Sequence, residues 1–236
     1  MSKYAKLMKK VVKATKPPDR FHLSGVQKLS LQDKNAFSLP AGPKFSCPGA
    51  TKACDGCYAQ KKRHMWNNVQ KAFARNWKFL LEFEKKNDAL GAAQAILEQI
   101  KPNATVFRIH ESGDFHSQWV IDVWAEVVRQ RKDVKFWAYT RSFHLNFTKL
   151  TRNKNFTLWA STDKNNLTGA KKFVRRFRKS GVKHAYGPWE HNEKLPDNSF
   201  ACPVTTKKMA LGGACEKCKL CIVKKKTPKN VVFLRH

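Results

Sequence analysis

The sequence predicts an α/β fold, specifically a partial (open) TIM-type β/α barrel of about five or six parallel strands with a C-terminal cysteine-rich cluster segment. Short, continuously apolar segments alternate with longer segments of helical periodicity, which is typical of parallel sheets. The chain has 236 residues, enough for one large domain with a sizeable core. A flavodoxin-like doubly wound sheet is the alternative arrangement of the same elements.

Individual elements follow from composition and spacing. Strands are predicted at residues 36–40, 104–110, 134–140, 156–161 and 182–187, and residues 231–236 can add an edge strand. Helices are predicted at 64–84, 88–100, 117–131 and 168–181, with a short one at 144–150. Ser117 is a suitable N-cap for the third of these helices, and Gly181 suits the end of the fourth.

The chain divides into a basic N-terminal arm, residues 1–36, and a single domain, residues 37–236, whose residues 200–222 form a segment with four of the seven cysteines. The lysines of the arm allow either a short amphipathic helix or a flexible, solvated tail; they are Lys3, Lys6, Lys9, Lys10, Lys13 and Lys16.

No apolar run approaches the roughly 18–20 residues of a membrane helix. The N-terminal segment is basic but lacks the apolar stretch of a signal peptide. The predicted location is therefore the cytoplasm, without a membrane partner, and the composition does not predict an oligomeric state.

Positive charge dominates the composition, with 47 Lys and Arg against 17 Asp and Glu, a formal net charge of +30. Such a surface attracts polyanions, so nucleic acid is the expected partner class. Residues 171–183 contain seven basic residues and no acidic one, with Phe173 and Phe177 between them. This run predicts either a basic ridge that contacts phosphates or the solvated face of an outer helix.

Seven cysteines form two groups, and in a cytoplasmic chain they indicate metal or redox chemistry. The first group is Cys47, Cys54 and Cys57, and the second is Cys202, Cys215, Cys218 and Cys221. Thiolates select zinc or iron–sulfur clusters. The second group supplies four ligands with ferredoxin-like spacing, which favours iron–sulfur, with zinc as the alternative. The first supplies three, so a four-iron cluster there keeps one iron open, unless His64 closes a zinc site.

Polar side chains follow several predicted strands. They are Glu111, Ser112, Gly113 and Asp114, then Thr140, Arg141 and Ser142, then Ser161, Thr162 and Asp163. In parallel β/α folds the chemistry lies at the C-terminal ends of the strands. Because the first cysteine group also follows a predicted strand, we expect thiols, acids and an arginine to share one edge of the sheet.

Five segments in this order resemble the phage-encoded gene product 88 family of radical-S-adenosylmethionine-like proteins: CPGATKACDGCYA, RIHESGDF, FWAYTRS, LWASTD and CP…CEKCKLC. The likeness covers about residues 37–221. The usual radical-S-adenosylmethionine loop has three residues between its first two cysteines, whereas this chain has six. The resemblance implies a bacteriophage protein that acts in the host cytoplasm.

The resemblance also implies cofactors and residue roles. A 4Fe–4S cluster would lie on the first cysteine group, with S-adenosylmethionine (SAM) on its open iron, and an auxiliary cluster on the second group. Cofactor-binding roles are implied for Glu111, Ser112, Gly113, Ser161 and Asp163, and catalytic roles for Glu111, Asp114 and Arg141. An electron donor would reduce the cluster, SAM would yield a 5′-deoxyadenosyl radical, and the protein would position and shield the reactants.

Two functions are consistent with these features. The first is an iron–sulfur, radical-SAM-like enzyme acting on a nucleic-acid or nucleotide substrate. The alternative is a non-catalytic nucleic-acid-binding phage protein stabilised by metal, either zinc or iron–sulfur. The colour of protein purified without oxygen separates iron–sulfur from zinc.

Overall fold

A computed structural model of the chain describes residues 2–16, 18–25, 29, 35–223 and 229–235. The fold is mixed α/β, with one sheet of six strands that are all parallel. The strands are β1 (Val106–Arg108), β2 (Lys135–Thr140), β3 (Phe156–Thr162), β4 (Lys183–Trp189), β5 (Ser199–Ala201) and β6 (Asn230–Leu234). The α-helices are α1 (Lys3–Ala14), α2 (Asn67–Lys85), α3 (Ala89–Leu97), α4 (Gln118–Gln130), α5 (Thr148–Thr151), α6 (Leu167–Arg176) and α7 (Ala214–Cys218).

The sheet is open, and its strand order is β1-β2-β3-β4-β6-β5. The predicted number of parallel strands is confirmed. The C-terminal strand, however, was wrongly expected at the edge, because β6 lies between β4 and β5. Val231 and Val232 are both fully buried, one on each face, as suits an interior strand. The edge is formed by β5, which the sequence pattern did not predict.

Residues 36–40 do not form a strand, contrary to the sequence prediction. They instead run beside β1 as an extended segment with a single parallel bridge between Ala36 and Arg108. The Phe37 N–H donates to the Arg108 carbonyl at 3.1 Å, and the Glu111 N–H donates to the Phe37 carbonyl at 3.0 Å. Pro40 has no N–H to continue the pattern, and the chain turns there into the first cysteine loop.

The two faces of the sheet pack against different layers. Alternate residues of β2 and β3, such as Phe136 and Leu158, join a large core with the helices that connect the strands, including Trp124 of α4. Trp137 and Trp159 point to the opposite face, where they pack with the C-terminal cysteine-rich segment. The strand period of two thus separates a helix-covered face from a cysteine-covered face.

Helix α1 confirms the helical alternative for the basic N-terminal segment. Tyr4 and Met8 are buried in an apolar cluster with Phe73 and Ala74 of α2, while the lysines of the helix are exposed. The Ala41 N–H donates to the Tyr4 hydroxyl at 3.2 Å. The helix is therefore packed against the segment that leads into the first cysteine loop.

Helix boundaries follow the predicted capping residues. The Ser117 hydroxyl accepts a hydrogen bond from the Val120 N–H at 3.4 Å, which begins α4. Helix α6 is followed by a 3₁₀ turn, Arg178–Ser180, and then by Gly181 with φ +76°. No helix among the described residues is both long enough and apolar enough to cross a membrane.

Candidate functional site at the carboxyl edge of the sheet

The first cysteine loop lies against the ends of β2 and β3. It contains two 3₁₀ turns, Lys52–Gly56 and Tyr58–Gln60. A Cβ on Gly49 would lie 2.1 Å from the Arg141 carbonyl oxygen, so the loop backbone contacts the residue that follows β2 directly. The Ser46 hydroxyl donates to the Pro40 carbonyl at 2.7 Å and accepts from the Asp114 N–H at 3.4 Å. The loop is thus attached to three neighbouring segments.

All seven cysteines are free and partly buried. In the first group, Cys57 interacts electrostatically with both Cys54 and Cys47. Burial, followed by the negative charge of Asp114, raises the pKa of Cys47 to about 12, and burial also raises the pKa of Cys57. The Thr51 N–H donates to the Cys54 sulfur at 3.4 Å. Cys57 therefore has both other thiols as neighbours, and the ionisation of Cys47 or Cys57 needs a positive partner.

Across the described parts of the chain, no three or more His, Cys, Asp or Glu side chains are grouped so as to hold a metal ion. By donor chemistry, the residues that could hold one are the thiols of the two groups, because no disulfide consumes them. His64, the candidate fourth zinc ligand, instead places its Nε2 3.3 Å from the Glu111 carboxylate.

Arg141 connects the ends of β2, β3 and β4. Its guanidinium lies 3.0 Å from Asp163 Oδ2 and donates to the Ser161 hydroxyl at 2.7 Å. It also donates to the Gly187 carbonyl at 3.4 Å. The Thr51 hydroxyl of the cysteine loop donates to the same Asp163 oxygen at 2.8 Å. The expectation that the polar strand ends and the first cysteine loop meet at one edge is therefore confirmed for these residues.

Asp114 is buried beside the same loop. Its carboxylate accepts hydrogen bonds from the Thr140 hydroxyl, the Arg141 N–H and the Phe115 N–H, each at 2.7 Å. Burial outweighs these hydrogen bonds and raises the pKa of Asp114 to about 6. Asp114 can therefore exchange a proton near neutral pH, which few carboxyl groups do.

Glu111 lies nearby but has different partners. Its carboxylate contacts the Arg63 guanidinium at 3.1 Å and His64 Nε2 at 3.3 Å. Burial alone would raise the pKa of Glu111, but the His64 hydrogen bond and the charges of Arg108 and Arg63 outweigh it and lower the pKa to about 2. Glu111 is therefore a permanent anion at the side of the cysteine loop.

Two of the predicted cofactor-binding residues have structural contacts. The Ser112 hydroxyl is buried and donates to the Leu39 carbonyl at 2.9 Å. Gly113 has φ +87°, and a Cβ there would lie 2.4 Å from the Ser46 hydroxyl oxygen. Both residues hold the extended segment and the start of the cysteine loop against the end of β1.

The second cysteine group lies on the sheet face opposite the helices. The Trp159 indole N–H donates to the Cys221 carbonyl at 3.0 Å, and the Cys202 N–H donates to the Val232 carbonyl at 2.8 Å. Burial raises the pKa of Cys221 to about 12. Cys215 and Cys221 pack in one apolar cluster with Trp137. The structure therefore attaches this group to β2, β3 and β6.

Three side chains connect the two cysteine groups, and sequence reasoning missed them. The Arg108 guanidinium donates to the Tyr58 hydroxyl at 3.2 Å and lies 5.2 Å from the centre of the Tyr139 ring. The Tyr139 hydroxyl donates to the Cys221 sulfur, while Tyr58 directly follows Cys57 in the chain. An arginine inside an otherwise apolar strand was the available signal, because burying its charge requires partners.

The carboxyl edge thus combines three groups. It has a loop of three partly buried thiols, a proton-exchanging acid at Asp114, and an ion pair between Arg141 and Asp163. Such a set can hold a positively charged or metal-containing group at the thiols and orient a polar ligand beside it.

Comparison with known proteins supports one family. The model of the family described as "Gene product 88" matches residues 3–224. The "Gene 88 protein" of Mycobacterium phage L5 is 30% identical over 215 residues, which cover 84% of this chain and 86% of the phage protein. The "Gene 88 protein" of Mycobacterium phage D29 is 32% identical over 207 residues, covering 80% and 82%. No solved structure gives a significant match. The chain therefore belongs to the gene product 88 family of bacteriophage proteins.

Proposed function

We propose that this protein is an iron–sulfur protein of radical-SAM-like type that acts in the host cytoplasm. Its first cysteine loop would hold a 4Fe–4S cluster with one open iron, and its second cysteine group an auxiliary cluster. The observation that carries the proposal is the position of three free thiols at the carboxyl edge of a parallel sheet, where Cys57 interacts with both of the others and buried charged residues lie beside them.

The donor set fits a cluster better than a single zinc ion. A structural zinc site is closed by four protein ligands, but the first loop offers three thiols, and His64 is turned to Glu111. Ligands of a four-iron cluster bind different iron atoms, so they need not converge on one point. The strand order β1 to β4, with the connecting helices on one face, is also consistent with the proposed partial barrel.

When bound, a reduced cluster with an open iron supplies an electron to chelated SAM. The chain's own residues would position the reactants. Glu111 remains ionised and can attract the amino group of the cofactor, although Arg63 and His64 compete for it. Arg141 and Asp163 fix the edge of the site, and Asp114 can hold or release a proton at its carboxylate near neutral pH.

Metal and sulfide analysis tests the first half of the proposal. Protein purified without oxygen should be brown, with broad absorption near 400 nm, and should contain iron and inorganic sulfide in equal amounts. Colourless protein that contains zinc and no inorganic sulfide would contradict the iron–sulfur assignment and favour the metal-stabilised binding protein.

Two matched cysteine variants distinguish the two groups. Cys54→Ala should lose one cluster's worth of iron and the spectral change that SAM causes in the parent. Cys218→Ala should lose a similar amount of iron but keep the response to SAM, because the second group lies on a different face of the sheet. If Cys54→Ala keeps the SAM response, the first loop is not the cofactor site.

The catalytic half has a separate test. Dithionite and SAM should yield 5′-deoxyadenosine with the parent protein and none with Cys54→Ala. Fully loaded parent protein that forms no 5′-deoxyadenosine would remove the enzymatic claim and leave the iron–sulfur claim in place. A nucleic-acid or nucleotide substrate is proposed from the net charge of +30.

A further inference from the structure

We propose that the outer face of α6 and the turn after it bind the phosphate backbone of double-stranded nucleic acid. We call this surface the α6 ridge; it consists of Lys171, Lys172, Arg175, Arg176, Arg178 and Lys179. This inference adds a defined binding surface to the proposed function and does not depend on the presence of a cluster.

The α6 ridge carries charge that the rest of the fold does not neutralise. Its six basic side chains are exposed, and residues 167–183 contain no Asp or Glu. Elsewhere, exposed basic residues such as Arg129 and Lys149 pair with nearby acids. In the part of the chain that the structure describes, none of the six ridge residues forms an ion pair. A polyanion can therefore bind these side chains without breaking an ion pair within the described residues.

The shape of the ridge also suits a phosphate. Lys171, Lys172 and Arg175, together with Thr168, line a surface hollow of about 270 Å³. The Thr168 hydroxyl and the three cationic side chains can donate hydrogen bonds to phosphate oxygens. From Lys171 to Arg176 the α6 helix advances about 7.5 Å, at 1.5 Å per residue. That length corresponds to about two base-pair steps of a duplex, and Arg178 and Lys179 of the following turn extend the basic surface.

The aromatic residues of this segment indicate how the polymer is recognised. Phe173 and Phe177 lie between the basic residues in the sequence, but they are only 2% and 4% exposed and pack in the helix-covered core. They cannot stack on unpaired bases, which is the main contribution of aromatic residues to single-strand binding. The α6 ridge therefore contacts backbone phosphates and does not read sequence.

The ridge begins near the candidate site. Asn166, directly before α6, accepts a hydrogen bond from the Asp163 N–H at 2.8 Å through its side-chain oxygen. Asp163 is in turn the partner of Arg141 at the carboxyl edge. A duplex bound along the ridge would thus pass near the carboxyl edge of the sheet.

A charge-reversal variant tests this surface. Lys171→Glu, Lys172→Glu and Arg175→Glu together change only exposed residues, so the fold should persist. The probe is a fluorescently labelled 20-base-pair DNA duplex, with affinity measured by anisotropy from 50 to 300 mM NaCl. We expect at least a tenfold weaker affinity at 50 mM NaCl, and a salt slope lower by about 2 to 3, because each lost phosphate contact removes about 0.9.

The matched control reverses three exposed lysines of α1. Lys6→Glu, Lys9→Glu and Lys13→Glu together change the net charge by the same amount at a different helix. This variant should lose less than threefold in affinity and keep the parent's salt slope. An equal loss in both variants would show that only net charge matters, and an unchanged affinity in the α6 variant would overturn the proposal.

Three further measurements test which ligand the α6 ridge binds and whether the proposed cluster is retained. A single-stranded DNA of the same sequence should bind the parent more weakly than the duplex, and the reverse order would contradict backbone recognition of a duplex. If the α6 variant loses binding to vesicles that contain phosphatidylserine but keeps its affinity for the duplex, the α6 ridge binds membranes and not a duplex. Iron content is measured on both variants. If it equals that of the parent, a weaker affinity for DNA is not caused by loss of the proposed cluster.

Discussion

At the scale of single residues, the ionisation of Glu111 gives a pH-dependent prediction. Its carboxyl titrates near 4.5 when unfolded but near 2 in the fold. The stabilisation is therefore complete above pH 4.5 and is lost as the pH falls from 4.5 towards 2, because the unfolded chain takes up the proton first. Urea unfolding of the parent should show a loss of about 3 kcal/mol over this range.

The variant Glu111→Gln removes this titration. At pH 7 it should be less stable by about 3 kcal/mol, because Arg63, His64 and Arg108 lose a buried anion. Its stability should then fall less steeply below pH 4.5 than that of the parent. The exposed Glu98→Gln provides the control and should follow the parent. The same pH profile in all three proteins would show that Glu111 has no special stabilising role.

Gly49 gives a prediction about packing in the cysteine loop. A Cβ at this position would lie 2.1 Å from the Arg141 carbonyl oxygen, so Gly49→Ala must displace backbone. We expect the free energy of unfolding to fall by about 2 kcal/mol and the iron content to drop. Gly56→Ala is the control in the same loop, since the nearest atom to its Cβ is the mobile end of Lys61 at 3.7 Å. Equal stability of the two variants would contradict the close contact.

The sequence could predict some of these residue contacts but not others. Arg141 and Asp163 were expected at one edge because both follow buried strands, and the structure joins them. The partners of Glu111 could not be predicted, since Arg63 and His64 lie in a turn whose path depends on the packing of α2. Arg108 was also missed, because a residue inside a strand gives no indication of which neighbour will balance its charge.

At the scale of elements, α1 supports the first cysteine loop. Met8 is fully buried in the cluster that also contains Cys47 and Cys57. Met8→Ala should lower the free energy of unfolding by about 2–5 kcal/mol. It should also speed the reaction of these thiols with a thiol reagent in metal-free protein. The exposed Lys9→Ala, on the same helix, should change neither, and unchanged thiol reactivity in Met8→Ala would separate the helix from the loop.

Element prediction succeeded where packing imposes a clear period. In α4, the buried residues Val120, Trp124 and Val127 recur at helical spacing after a capping serine. Prediction of elements from the sequence failed where the element is short or irregular. Strand β5 has three residues, all half-buried, and so has no readable pattern. Residues 36–40 have a strand-like composition, but within the described residues they form only isolated bridges, from Ala36 to Arg108 and to Ser24, and end at a proline.

At the scale of the whole molecule, net charge should affect stability. With a formal charge of +30, we expect repulsion among exposed cations to exceed the attraction of the surface ion pairs. Raising NaCl from 20 to 300 mM should therefore raise Tm by a few degrees, because salt screens the repulsion. The triple α6 variant, with less charge, should show a smaller rise. A Tm that falls with salt would mean that attractive pairs dominate instead.

The strand order has a consequence for protein synthesis. Strand β5 pairs only with β6 among the described strands, and the segment between them carries all four cysteines of the second group. These cysteines therefore leave the ribosome before the strand that secures them to the sheet. Until β6 inserts, the nascent chain exposes reduced thiols to the cell. We thus expect the second cysteine group to reach its final arrangement only after β6 has been synthesised and has joined the sheet.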